Sequence, residues 1–255
     1  MANSSDTKNI LFIVEGTGAE PRLLKSINRV IGFNEYDVYA YKTSIYELYD
    51  VYEDLSNDDD LDLLLVLKER TDDSDERKVL SRRYASIFLI FDFDPHHQKY
   101  KLSKINELIA FFDDSRMNGQ LLLSFPMIES HRHLSMMPDR NFLSLVVDDD
   151  DLRRYKQLVD RSSHYRDIQA YDYQIVSEMI AHHMIKFNHM IHGVSQMPDE
   201  KEYHDLFANH YDRLVDIQHK AFADNRLKVL SLALFYIVDI KPKTFFNTRL
   251  HTMSL

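Results

Sequence analysis

The sequence predicts an α/β fold, with a mostly parallel β-sheet flanked by helices and followed by an all-helical C-terminal region. Apolar runs over residues 9–14, 86–91 and 120–125 have the length and composition of strands buried on both faces. Helical spacing of apolar residues lies between these runs, which indicates strand–helix–strand units with right-handed crossovers. After residue 148 the periodicity is helical throughout.

The first unit joins a strand over residues 9–14 to a helix through a glycine turn. Gly16 and Gly18 form the turn, and Pro21 stands in the first helical turn, where its missing N–H costs nothing. Gly32 is suited to ending this helix. A short strand over 37–41 follows, then a helix from Ser44 to about residue 55. The apolar run over 61–68 fits either a helix or a strand, and a helix is favoured. Residues 71–83 are charged throughout, which indicates a loop or an exposed helix.

The strand over residues 86–91 is central to the fold. A helix over 101–112, a turn at 118–119 and the strand over 120–125 follow it. In the second half, helices are predicted over 152–159, 168–191, 200–223 and 226–240. Residues 229–237 are apolar on all sides, which is typical of a buried helix. The change from alternating strand and helix patterns to helical patterns alone predicts an α/β domain over 1–147 and a helical domain over 148–255.

Composition narrows the classes of function. The 255-residue chain has no cysteine, which excludes disulfides, thiolate zinc sites and cysteine nucleophiles. Residues 1–8 lack the apolar core of a secretory signal, and the longest apolar run is too short to span a bilayer. We therefore expect a cytoplasmic protein without a membrane partner. With a net charge of −10, binding of nucleic acid would require a metal or a local basic patch.

Carboxylates follow three of the predicted strands. Glu15 ends the first, Asp92 and Asp94 end the central one, and Glu129 comes shortly after the last. Side chains alternate along a strand, so the two aspartates point the same way, and parallel strands bring their carboxyl ends to one edge. Acids gathered there favour Mg²⁺ or Mn²⁺. For the aspartate pair alone, solvated loop acids or an Asp cap beside Pro95 are the alternatives.

Glu15-Gly16 after an apolar strand, followed by Asp92-x-Asp94 after a second strand, resembles the Toprim domain. That domain is shared by type IA and II topoisomerases, DnaG-type primases, OLD-family nucleases and small bacterial nucleases. Three segments over residues 13–24, 91–97 and 126–129 most resemble the RloB/AriB-like defence proteins: Ile-Val-Glu-Gly-x-x-x-Glu-Pro-x-x-Leu, Phe-Asp-Phe-Asp-Pro-His-His and Pro-Met-Ile-Glu. The resemblance covers roughly residues 8–133.

The resemblance implies catalytic and metal-binding roles. Glu15 would be a metal ligand or a general acid/base, Asp92 and Asp94 would bind Mg²⁺ or Mn²⁺, and Glu129 matches a further carboxylate of OLD-like nucleases. The second acid of the first motif comes one residue late, at Glu20, which puts its role as a ligand in doubt. No topoisomerase or primase module accompanies the motifs. Among the activities of the families that share this domain, the resemblance therefore implies a nuclease.

Candidate phosphate contacts lie next to the acids. The loop after Glu15 offers backbone N–H groups and a helix N-terminus, an anion-binding arrangement. Basic residues that follow the other acids provide a rim for a nucleic-acid strand, although solvated loop charges are the alternative for the histidines. The predicted phosphate-binding residues are Gly16, Gly18, His96, His97, Lys99 and Arg132. Four histidines farther along lack a His-Glu-x-x-His pattern and are attributed to helix packing: His182, His183, His189 and His192.

By family analogy we expect a Mg²⁺- or Mn²⁺-dependent nuclease, the toxic effector of a bacterial anti-phage or abortive-infection system, with RNA or tRNA favoured over DNA. The chain lacks a Gly-x-x-x-x-Gly-Lys-Ser/Thr loop, so a regulatory ATPase or sensor would be a separate chain. A homo-oligomer is left open. Two alternatives remain: a haloacid-dehalogenase-like phosphatase, whose motif departs from this sequence at His96, and a non-catalytic Toprim scaffold that binds a partner ATPase.

Overall fold

The protein is described here by a computed structural model covering residues 9–57, 61–246 and 253–255. The strands are β1 (Ile10–Val14), β2 (Tyr36–Ala40), β3 (Ser86–Asp92), β4 (Asp113–Asp114), β5 (Gly119–Phe125), β6 (Val146–Asp148), β7 (Arg226–Lys228) and β8 (Leu230–Ser231). The main sheet has the order β2-β1-β3-β5-β4, with β8 also paired to β5. Strands β2, β1, β3 and β5 are parallel neighbours, whereas β4 and β8 run antiparallel to β5. The predicted α/β class is confirmed.

Helices flank the sheet and make up most of the C-terminal region. The predicted helices over 61–68 and 200–223 are confirmed, and the charged stretch over 71–83 contains a short helix. The helices are α1 (Ala19–Val30), α2 (Ile45–Asn57), α3 (Leu63–Glu69), α4 (Ser74–Leu80), α5 (Leu102–Phe111), α6 (Asp149–Leu152), α7 (Tyr155–Ser162), α8 (Tyr173–His192), α9 (Glu200–Ala223), α10 (Tyr236–Ile240) and α11 (Pro242–Phe246). Helix α9 packs against α5 and α8.

The register of the parallel strands places their carboxyl ends together. Val14 of β1 pairs with Ile90 of β3, and Asp92 of β3 pairs with Ser124 of β5. All side chains of β1 and β5 are buried, as expected for central strands covered on both faces. The residues that follow β1, β3 and β5 therefore emerge at one edge of the sheet.

The single helix predicted over residues 226–240 is wrong. Arg226–Lys228 pairs with β6, and Leu230–Ser231 pairs with the end of β5. The free edge of β5 supplies backbone hydrogen bonds here, including one from the N–H of Leu232 to the carbonyl of Leu123. The run is apolar on all sides because its residues are buried in the core, and burial alone does not distinguish a helix from an extended segment.

Two other predicted helices are interrupted. The segment over 168–191 begins with a 3₁₀ turn at Ile168–Ala170, and α8 starts only after Asp172, whose carboxylate caps the N–H of Ile175 at 2.8 Å. The segment over 152–159 is divided between α6 and α7. In both cases a short polar segment separates two helical turns, which apolar periodicity alone does not detect.

The two halves of the chain share one hydrophobic core. Tyr236 of α10 meets Phe12 of β1 edge to face, with ring centroids 4.7 Å apart, and the hydroxyl of Tyr211 accepts the N–H of Leu123 at 3.0 Å. The division into domains 1–147 and 148–255 stays a prediction. Residues 1–8, on which the expectation of no secretory signal rests, lie outside the described residues. In the described part of the chain, no helix has the length and apolar character needed to cross a membrane.

Candidate metal centre

Glu15 lies immediately after β1, at the carboxyl edge of the sheet. Its Oε2 accepts a hydrogen bond from the backbone N–H of Asp92 at 3.2 Å. Burial raises the pKa of Glu15 to about 7; the hydrogen bond opposes the rise, and the nearby charges of Glu20, Asp94 and Glu47 add to it. A carboxyl group with this pKa is costly to ionise without a compensating positive charge.

Asp92, the last residue of β3, faces the same site. Its Oδ1 accepts the backbone N–H of Ile128 at 2.8 Å. Burial raises its pKa well above the usual range, with further contributions from Glu15, Glu20 and Glu129. These mutual effects show that the acids share one poorly solvated region, as the alternation of side chains and the parallel sheet predict.

Glu20 joins this cluster, although its position in the sequence had put its role in doubt. It stands in the first turn of α1 and is only 7% exposed. A Cβ atom added at Gly16 would lie 3.2 Å from Oε2 of Glu20. The missing side chain at Gly16 therefore allows the Glu20 carboxylate to approach the glycine turn closely. The Glu20 carboxylate thus lies at the glycine turn that the sequence predicted to be a phosphate-binding loop.

Glu129 reaches the site from the segment after β5. It belongs to the 3₁₀ helix Ile128–Arg132 and is 6% exposed. Its Oε1 lies 3.4 Å from Nζ of Lys156 on α7. Its charge influences Asp92, so three strand ends do contribute acids to one region. The lysine partially balances this buried carboxylate.

Asp94 occupies the exposed rim, in the loop after β3. Its Oδ1 accepts the N–H of His96 at 3.0 Å, and its carbonyl accepts the hydroxyl of Tyr46 at 2.6 Å. The Tyr46 ring also stacks on His97, with centroids 4.7 Å apart. The buried tyrosine thus fixes the start of this loop and the backbone that carries Asp94. We call Glu15, Glu20, Asp92, Asp94 and Glu129 the acid cluster.

The predicted phosphate contacts have other partners. Nε2 of His96 lies 2.7 Å from Asp149, at the start of α6, and Nζ of Lys99 lies 3.3 Å from Glu47. The carbonyl of Gly18 accepts a hydrogen bond from Arg22 at 3.0 Å. Phosphate-binding roles for Gly16, Gly18, His96, His97 and Lys99 stay predictions. Arg132 differs, because it lines a cavity beside Glu129.

A second group of potential metal ligands includes His192, which the sequence pattern assigned to helix packing, together with two residues that were not predicted. In the described part of the chain, His192, Asp205 and His210 are the one trio of His, Asp or Glu side chains whose ligand atoms all lie within 4.8 Å of one another. No three carboxylates of the acid cluster are therefore this close together. Asn209 donates to Oδ1 of Asp205 at 2.8 Å. His192 belongs to α8, whereas Asp205 and His210 belong to α9. The trio therefore has no local sequence motif by which it could be predicted.

The larger of two prominent cavities lies away from the acid cluster. It has a volume of about 1000 Å³ and opens at the amino ends of the parallel strands. In open parallel sheets ligands bind at the carboxyl ends, so the size of this cavity does not make it the site. Its lining includes Ile10, Ser86, Gln120, Asp113, Asp114 and Asp239.

A scan against protein families, a search of curated proteins and a search of solved structures each return no match. The resemblance to the Toprim domain therefore rests on the motifs around Glu15, Asp92 and Glu129 and stays a prediction. The parallel sheet and the shared environment of these acids are consistent with it.

Proposed function

We propose that this protein is a Mg²⁺- or Mn²⁺-dependent nuclease that hydrolyses phosphodiester bonds at the acid cluster. The observation that carries this function is the placement of Glu15 and Asp92, both partly buried, at the ends of adjacent parallel strands. The charges of other carboxylates make both residues harder to ionise. Acids held this way at the carboxyl edge of an α/β sheet form a functional-site candidate with a physical basis.

The donor set fits a hard divalent cation. All the side-chain donors of the acid cluster are carboxylate oxygens, which suit Mg²⁺ and Mn²⁺ better than softer metals. The raised pKa values of Glu15 and Asp92 arise first from burial and then from neighbouring negative charges, and a bound cation would offset both effects. Glu15, Asp92 and Asp94 would hold it, with Glu129 in support. When bound, such a cation activates water and neutralises charge on phosphate oxygens.

The chain itself supplies orientation. The N–H of Asp92 fixes one oxygen of Glu15, and the N–H of Ile128 fixes one oxygen of Asp92. Each carboxylate keeps its second oxygen for a ligand or a proton. Without a bound cation the pKa of Glu15 is about 7, so the group can then hold or release a proton near neutral pH, as a general acid or base must. As a ligand of the cation it would instead stay ionised.

The biological setting follows from family analogy. We propose a cytoplasmic effector of a bacterial anti-phage system that cleaves RNA or tRNA and is controlled by a separate ATPase or sensor chain. The net charge of −10 supports this, because an acidic surface discourages contact with bulk nucleic acid until a partner or a specific site overcomes the repulsion. The competing functions are a phosphatase that uses Asp92 and Asp94, and a scaffold without catalysis.

Cleavage assays test the nuclease directly. Purified protein is incubated with tRNA, single-stranded RNA, plasmid DNA and a phosphomonoester, with Mg²⁺, Mn²⁺ or EDTA. We expect a polynucleotide to be cut only with metal, and Glu15→Ala and Asp92→Ala to lose the activity. Hydrolysis of the phosphomonoester alone would instead support the phosphatase. Absence of all four activities would contradict catalysis by this chain alone and favour the scaffold.

Asp239→Asn is the matched control for these variants. Burial also raises the pKa of Asp239 to about 7, but this residue lines the cavity at the opposite edge of the sheet. Removing its charge should leave cleavage within about twofold of the unmodified protein. If Asp239→Asn were as inactive as Glu15→Ala, loss of a buried acid in general, rather than of the acid cluster, would explain the result.

A further inference from the structure

A small cavity lies directly beside the acid cluster. Its volume is about 230 Å³, and Glu129 forms part of its wall. Residues from the first turns of α1, the 3₁₀ helix after β5, α7 and the loop before α8 enclose it. Pockets for drug-sized ligands are typically about 300–1000 Å³, so this cavity suits a smaller group. Its lining includes Ala19, Ile128, His131, Ile168, Arg22, Arg132, Lys156 and Arg166.

The cavity is locally basic in an acidic protein. Four cationic side chains line it: Arg22, Arg132, Lys156 and Arg166. The carboxylates paired with them are Glu129, near Lys156, and Asp160, which accepts a hydrogen bond from Nη2 of Arg132 at 2.6 Å. The four cations thus exceed the two carboxylates by two positive charges, whereas the whole chain carries −10. Such a local reversal of charge is the expected signature of an anion-binding site.

Arg132 is the best-placed residue of this group. Its side chain is 9% exposed, which is rare for an arginine unless its charge has partners. The Nη1 atom is buried and has no hydrogen-bond partner among the described residues. A buried guanidinium nitrogen without an acceptor costs free energy. An anion in the cavity would supply an acceptor and offset that cost.

The other arginines are fixed by bonds that leave their charge uncompensated. Nε of Arg166 donates to the carbonyl of Ser163 at 2.9 Å, and Nε of Arg22 donates to the carbonyl of Gly18 at 3.0 Å. Backbone carbonyls orient a guanidinium without cancelling its positive charge. Guanidinium groups recognise phosphate through paired N–H donors. The cavity therefore presents oriented donors next to carboxylates suited to a cation.

We propose that this basic cavity binds a phosphate group of the polynucleotide, adjacent to the phosphate that is cleaved at the acid cluster. This assignment rests on the proposed nuclease function. Arg132 contacts the phosphate from the buried wall, and Arg22, Lys156 and Arg166 contact it from the rim. Glu129 borders both sites, so a strand bound in the cavity is guided onto the acids.

Binding of RNA without catalysis tests the cavity. Fluorescence anisotropy measures the affinity of a labelled single-stranded RNA in EDTA over a range of salt concentrations. We expect Arg132→Gln and Arg166→Gln each to weaken binding about tenfold and to reduce the salt slope by about one, as loss of a phosphate contact predicts. Arg213→Gln, an exposed arginine of α9 outside the cavity lining, should bind like the unmodified protein.

The outcomes separate the cavity from the nuclease. If the pocket variants bind RNA with unchanged affinity and salt slope, or if the unmodified protein binds no RNA, the cavity assignment is overturned. Should Arg132→Gln fail to fold, Arg166→Gln and Arg22→Gln still decide, because both residues are exposed. Cavity-dependent RNA binding without any cleavage in Mg²⁺ or Mn²⁺ would support the cavity and contradict the nuclease. If the protein cleaves RNA but the cavity variants bind RNA as tightly as the unmodified protein, the result would support the nuclease and contradict the cavity assignment.

Discussion

The Oε2 atom of Glu15 accepts the backbone N–H of Asp92 at 3.2 Å, which ties the acid after β1 to the end of β3. The bond connects two motifs separated by most of the first half of the chain. It also leaves two carboxylates close together in a poorly solvated region. Ionising either acid at this edge therefore lowers the stability of the folded protein, and carboxyl groups perturbed in this way are common at functional sites.

Replacing Glu15 by glutamine should stabilise the protein at alkaline pH. The folded-state pKa of about 7 exceeds the ordinary value of 4.5 for a glutamate, so above pH 7 the folded protein carries a charge in an unfavourable position. We expect Glu15→Gln to raise the free energy of unfolding near pH 8 by on the order of 1–3 kcal/mol, at about 1.4 kcal/mol per pKa unit. Urea denaturation measures the free energy of unfolding. If Glu15→Gln were less stable than the unmodified protein near pH 8, the raised pKa of Glu15 would be contradicted.

The same group predicts the sign of a pH dependence. Between pH 4.5 and about 7 the folded protein retains the Glu15 proton that the unfolded chain has lost, so this contribution to stability decreases as pH rises. His131 acts in the opposite direction, because burial lowers its pKa to about 4. The measurement is therefore the difference in unfolding free energy between Glu15→Gln and the unmodified protein. The stability of Glu15→Gln relative to the unmodified protein should increase from pH 4.5 to about 7. A difference that does not change with pH would contradict the raised pKa of Glu15.

Divalent metal should stabilise the fold through the acid cluster. We expect millimolar Mn²⁺ or Mg²⁺ to raise the melting temperature of the unmodified protein by several degrees, since ligand binding to the folded state alone adds to stability. Asp92→Asn should remove most of the shift. His210→Ala, in the trio of α8 and α9, should retain it. If His210→Ala lost the shift and Asp92→Asn retained it, the cation would bind at the trio.

Gly119 is predicted to be the least replaceable of the five glycines. It has a φ of +107°, and an added Cβ would lie 2.6 Å from Cδ1 of Leu89. Gly119→Ala combines backbone strain with a steric clash at the start of β5, and we expect a loss of roughly 2–4 kcal/mol. Gly32→Ala is the control, because Gly32 also has a positive φ of +66° but an added Cβ meets nothing within 4 Å. Gly32→Ala should lower the free energy of unfolding by about 1 kcal/mol. Equal losses for Gly32→Ala and Gly119→Ala would show that Leu89 moves to relieve the clash at residue 119.

Tyr46 should support activity through the backbone of Asp94. Its hydroxyl donates to the Asp94 carbonyl at 2.6 Å. Tyr46→Phe preserves the ring and its stacking on His97 but leaves that carbonyl without this donor, so we expect about 1 kcal/mol less stability and several-fold slower cleavage. Tyr49→Phe removes a hydroxyl that contacts Glu107 on α5 and should leave the cleavage rate unchanged. Equal rates for both variants would argue against a positioning role.

Much of the fold and the main site could be predicted from the sequence, because their signals are local. The apolar runs of β1, β3 and β5 are short and end in acids, and parallel strands necessarily bring those ends to one edge. The environments of Glu15, Asp92 and Glu129 agree with this. The extended segments over 226–231 could not be predicted, because their backbone partners lie far away in the sequence, on β6 for Arg226–Lys228 and on β5 for Leu230–Ser231. Apolar periodicity does not encode such pairing.

The sequence by itself determined the α/β class, the alternation of strands and helices, and the edge at which Glu15, Asp92, Asp94 and Glu129 gather. Tertiary structure alone decided three other features. It brought Glu20 into the acid cluster over Gly16, paired His192 with Asp205 and His210 across two helices, and surrounded Arg132 with a basic cavity. The physical reason is the range of the interactions. Periodicity and strand direction are properties of neighbouring residues, whereas burial, charge coupling and unsatisfied donors depend on residues that only the packed chain brings together.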